Sequence, residues 1–117
     1  MPAKIKSWYN IQNEAGKPVT LTIEDEIGGL GKTSKDFRAD FARIGENEAV
    51  NVHLQSGGGS VFDGNEIANI LGAHKGRVNI SIGSICASIA TVIMVARGKK
   101  DTVTAAKNSL VMMKKKL

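Results

Sequence analysis

The sequence predicts an α/β fold on a parallel or mixed sheet, and three observations carry that prediction. Segments of two-residue apolar alternation, such as Val19, Leu21 and Ile23, take turns with segments whose apolar residues recur at helical spacing. Two strand-to-helix junctions are rich in small residues, SGGGS at 56–60 and GSICAS at 83–88. The 117 residues, 42% of them hydrophobic, fill one modest core. They contain no apolar run near the roughly 20 residues that a membrane span needs.

Taken in order, Lys4 to Gln12 and Pro18 to Glu26 read as an edge hairpin around the turn-like NEAGK. Gly28, Gly29 and Gly31 break that pattern. Thr33 or Ser34 then N-caps a helix with Phe37, Phe41 and Ile44 on one face, and Gly45 ends it. Ala49 to Gln55 alternates as a strand, and Val61 to Gly72 follows as a helix with the stripe Val61, Ile67, Ile70, Leu71. The unit repeats with a strand over Arg77 to Ile82, a turn, and a helix from Ala87 to Ala96. Short strands at Asp101 to Ala105 and from Leu110 to Met113 close the pattern. No linker or low-complexity stretch divides the chain, so residues 1–117 read as a single domain.

Composition excludes several functions. One cysteine, Cys86, forbids an internal disulfide, and two isolated histidines, His53 and His74, give no metal-ligand spacing. No metal and no cofactor is therefore expected. The net charge of +5 comes partly from Lys114, Lys115 and Lys116, and few aromatics are present to stack on bases, so nucleic acid is not an expected partner. The opening MPAKIKSWYNIQ has no apolar h-region, which points to a cytoplasmic protein with no membrane partner.

The chemistry concentrates in the two turns. In an α/β sheet, ligands bind beyond the carboxyl ends of strands, where turns expose backbone N–H groups. Glycines at 57–59 let the main chain approach a substrate closely, and a loop for phosphate would want a following Lys-Ser or Lys-Thr, which is absent. Ser88 reads by itself as a helix N-cap; the alternative is a nucleophile beside an oxyanion cradle, as acyl transfer requires. Cys86 reads as buried filler, and His53 and His74 as surface or helix-end residues, neither placed to activate Ser88.

Those turns also carry a resemblance. HLQSGGGSVFDGNEIANIL is similar to the "NSPGGSVFDG" segment of the ClpP-like serine peptidases, and its VFDG tetrapeptide marks their phage head-maturation (prohead) branch. GSICASIATVIMVA resembles the family's nucleophile segment, and IEDEIGGLGKTSKDF its entry segment. The resemblance implies a ClpP/crotonase-like spiral of ββα units, C-terminally truncated, with the family's C-terminal part missing after about residue 113. It implies a serine endopeptidase acting on polypeptides such as the scaffold and capsid proteins of a phage, and self-associating into a ring.

Carried over by position, Ser88 matches the nucleophile, and Gly58 and Ile89 match the residues whose N–H groups form the oxyanion hole. Gly57, Gly58, Gly59 and Ser60 match the strand that clamps the substrate backbone. Gly57 stands where the family has proline, Cys86 where it has alanine, and Lys114 where it has the histidine base. With that histidine and the acidic third member unaccounted for, the resemblance implies an incomplete or inactive peptidase. Two rivals remain: a noncatalytic ring-forming or scaffold-binding module of the same fold, and a crotonase-like protein that binds acyl-CoA.

Overall fold

The computed structural model describes residues 7–29, 32–96 and 102–112. Six strands and three helices alternate along them: β1 (Tyr9–Gln12), β2 (Val19–Glu24), α1 (Ser34–Phe41), β3 (Val50–Ser56), α2 (Val61–Ala73), β4 (Val78–Ala87), α3 (Ile89–Met94), β5 (Val103–Ala105) and β6 (Leu110–Met112). All six strands form one sheet in the order β1-β2-β3-β4-β5, with β6 also on β4. Only the β1–β2 hairpin is antiparallel. The α/β prediction with a mixed sheet holds.

Alternation sets the two faces of the sheet. Val19, Leu21 and Ile23 of β2, Val50, Val52 and Leu54 of β3, and Val78, Ile80 and Ile82 of β4 are buried in the core with Phe37, Ile67, Leu71 and Ile93 of the helices. Thr20, Thr22, Asn51, His53, Asn79 and Ser81 point the other way and are half-buried or exposed. That face stays polar and pairs with itself, as where Asn79 Nδ2 donates to Asn51 Oδ1 at 3.2 Å.

Helix α1 begins as its sequence requires. Thr33 accepts from the Asp36 N–H while the Asp36 carboxylate accepts from the Thr33 N–H, a reciprocal capping box. It ends at Phe41, one turn earlier than the spacing predicts, because Ile44 reaches the core from the turn that follows. Trp8, Tyr9, Phe37 and Phe41 stack edge-to-face and face-to-face beneath it. The Tyr9 hydroxyl donates to Asp40 Oδ2 at 2.6 Å, a bond that holds the Asp40 carboxyl below the usual carboxylate range.

Three sequence expectations need correction. Strand β4 does not stop at Ile82 but runs to Ala87, and α3 is only Ile89–Met94. The reason is a bulge: the β3–β4 ladder pairs Leu54 with Ile82 and then Ser56 with Cys86, so Gln55 alone faces Gly83, Ser84 and Ile85. The Gln55 amide oxygen fills the gap by accepting from the Ser84 N–H at 3.0 Å, where a side chain at Gly83 would collide with it. Val61 leaves the helical stripe and is 61% exposed, because α2 turns Gly64, Ile67, Ala68 and Leu71 inward. His74 is no surface residue. It is buried at the end of α2, with its Nε2 at 2.7 Å from the Glu48 carbonyl and its ring against Phe41.

Candidate active site

The carboxyl ends of β3 and β4 bring the two small-residue turns together. Gly58, buried, approaches Ser88 so closely that a Cβ on it would stand 2.9 Å from Ser88 Cβ and 3.4 Å from Ser88 Oγ. Only glycine fits there, the more so because Gly58 has φ +119° and Gly59 φ +144°. Residues about thirty positions apart in the chain thus share one point, as the sequence predicts.

Ser88 holds a backbone that serine rarely adopts, φ +55° and ψ −129°, between the end of β4 and the start of α3. Its main chain is pinned on both sides. Its N–H donates to the Met112 carbonyl at 3.0 Å, and its carbonyl accepts from the Thr91 N–H at 3.0 Å and the Thr91 hydroxyl at 2.6 Å. Its own hydroxyl makes no capping bond, and the residue is exposed. Ser88 thus stands at the N-cap position of α3, as the sequence predicts, but its side chain satisfies no donor of the helix end.

The amides around Ser88 differ in availability. Ile89 opens α3, so its N–H has no intrahelical partner, and it finds no acceptor among the described residues. Gly64 fixes its position: a Cβ there would lie 2.3 Å from Ile89 Cγ1, so the glycine of VFDG lets α2 and α3 touch. The Gly58 N–H is already committed, donating to Ser56 Oγ at 3.1 Å, so this predicted oxyanion donor is occupied.

Gly59 offers the alternative. Gly58 turns its carbonyl to the Ile27 N–H, and Ser60 turns its N–H to the Ile27 carbonyl, each at 2.9 Å. In extended chain, successive residues point their amides to opposite edges, so the Gly59 N–H faces away from Ile27, toward the β4 side. It has no acceptor among the described residues. Sequence spacing does not distinguish Gly58 from Gly59, because the choice depends on the register of a single bridge.

The other candidates take structural places. Ser60 caps α2 by accepting from the Asp63 N–H, and Gly57 is exposed, with nothing within 4 Å of a Cβ built on it. Asp63 Oδ1 accepts from the Ser34 N–H, tying α2 to α1, and these serine hydrogen bonds hold its carboxyl below the ordinary range. Cys86 is fully buried, and that burial pushes its thiol up to about 11, which removes it as a nucleophile.

Neither described histidine serves Ser88. His53 sits three residues before Ser56 on β3, and Ser56 pairs with Cys86, two residues before Ser88, which puts His53 roughly 16 Å from Ser88 along the sheet. His74 is held at the far end of α2. Lys114 lies outside the described residues. Among the described residues no three His, Cys, Asp or Glu side chains gather to hold a metal ion, and no helix is long and apolar enough to cross a membrane. A cleft of about 440 Å³ between β1 and α1, lined by Tyr9, Lys32, Asp40 and Arg43, is separate from the turns and holds no nucleophile beside a base.

The family model described as Clp protease matches residues 6–117. No curated protein matches the chain.

Proposed function

The chain belongs to the Clp protease family, and from that premise we propose that it is a serine endopeptidase of the phage head-maturation type with Ser88 as its nucleophile. The carrying observation is the approach of the glycine turn to an exposed, strained Ser88 whose hydroxyl is not spent on capping. The VFDG segment supports the phage branch.

In the reaction, Ser88 Oγ forms a bond to the scissile carbonyl carbon while the C=O electron pair moves onto oxygen. The Ile89 N–H and the Gly59 N–H receive that oxyanion. The Ser88 proton passes to a base and from it to the leaving amine as the C–N bond breaks; water then releases the acyl group. The base is not among the described residues. Lys114, at the position the resemblance gives to the histidine, and residues of another copy are candidate sources. With no base held beside Ser88 by the described residues, we infer low activity for the isolated chain. Val103 on β5 and Leu110, Val111 and Met112 on β6 are all exposed, which supports self-association.

A fluorophosphonate probe tests the reading. The parent is expected to label, slowly, and Ser88→Ala not to label. Absence of labelling in both favours a noncatalytic module of this fold, the reading supported by the distance of His53 and His74 from Ser88. Saturable acyl-CoA binding would instead favour the crotonase-like alternative.

A further inference from the structure

The β2–β3 ladder runs in register to Glu24 opposite Gln55 and resumes where Ile27 bridges Gly59. Between those points Asp25 and Glu26 on one side face Ser56, Gly57 and Gly58 on the other. The extra residue makes a bulge, and bulges re-aim the chain beside sites. The backbone alone does not close this one.

The Ser56 side chain closes it. Ser56 is 1% exposed, and its hydroxyl donates to the Asp25 carbonyl at 2.5 Å. The same oxygen lies 3.1 Å from the Gly58 carbonyl and accepts from the Gly58 N–H at 3.1 Å. Asp25 contributes from its side: its φ of +63°, rare outside glycine, turns its carbonyl to that hydroxyl. One side chain thus joins the end of β2 to the middle glycine. A hydroxyl serves here because it both donates and accepts.

We propose that Ser56 is a positioning residue: it clasps the glycine turn against β2, occupying the Gly58 N–H so that the next amide, that of Gly59, is the one presented to Ser88. The inference rests on the peptidase reading for its consequence and on the hydrogen bonds of Ser56 for its mechanism. Without the clasp the turn still holds its glycines. It loses the direction of its donor.

Saturation kinetics of fluorophosphonate labelling test it, with Ser56→Ala beside Thr33→Ala, which removes an exposed hydroxyl from the N-cap of α1. Ser56→Ala is expected to lower the maximal labelling rate about 30-fold with half-saturation within about twofold, as misdirecting one oxyanion donor requires. Thr33→Ala is expected to lower Tm without changing that rate. Parental labelling by Ser56→Ala, or an equal rate loss in Thr33→Ala, overturns the proposal. If the parent itself does not label, the peptidase reading falls, and amide exchange decides the clasp: Gly58 N–H exchange should quicken at least about tenfold in Ser56→Ala only, since its acceptor is gone. Unchanged exchange overturns it.

Discussion

Helix α2 joins two regions built on opposite terms. At its far end, His74, Phe41, Phe37, Tyr9 and Trp8 pack ring against ring, and the polar atoms they carry are bonded: Trp8 Nε1 donates to the Lys32 carbonyl at 2.7 Å, and Tyr9 to Asp40. At its start, Ser88, Gly58 and Gly59 hold positive φ angles, and the Ile89 and Gly59 amides lack acceptors among the described residues. The first region follows every local rule, whereas the second breaks several within a few residues. Strain and open donors collect at one point on a scaffold otherwise satisfied, the pattern that the proposed active site requires.

The largest expected effect lies in the first region and should leave the second untouched. Phe37 is fully buried among three aromatic rings. Phe37→Ala should cost about 3–5 kcal/mol in denaturant unfolding through lost transfer energy and a cavity. The probe-labelling rate per folded molecule should stay at the parental value. If labelling fell in step with stability under conditions where the variant is fully folded, the two regions would not be independent.

A smaller effect should run in the reverse direction. Ser88→Gly removes both the nucleophile and the cost of a side chain at φ +55°, so unfolding should become more costly by about 1 kcal/mol or more while labelling vanishes. A loss of stability instead would mean that the Ser88 side chain supports the turn, and the contrast between the regions would narrow.

The sequence reveals the two regions unequally for the same reason. Periodicity located β2, β3, α1 and α2 to within a few residues, because burial of one face determines them, and Thr33 or Ser34 announced the N-cap of α1. The resemblance placed Ser88 beside the glycine turn. What stayed hidden depends on bulges: β4 continuing past Gly83, the Gly58 amide taken by Ser56, the Gly59 amide left open. A one-residue shift of register reverses which amides face which edge, and no local pattern records it. His74 stands at the end of α2 as its sequence place predicts, but its burial was hidden because its partners, Glu48 and Phe41, are brought to it only by the tertiary fold.

The smallest effect separates the three glycines of the turn from one another. Gly58 and Gly59 need their positive φ, and an added Cβ would meet Ser88 Cβ at 2.9 Å in the first and the Ile27 carbonyl oxygen at 2.4 Å in the second. Gly57 has neither constraint: its φ lies outside the left-handed region and nothing stands within 4 Å of a Cβ built on it. Its freedom is therefore spent only in the unfolded chain. Gly57→Ala should raise the denaturant midpoint by the equivalent of about 0.4–1 kcal/mol, while alanine at 58 or 59 should lower it by more than that. Equal losses at all three positions would show that the whole turn, and not its last two residues, is held in a conformation only glycine adopts.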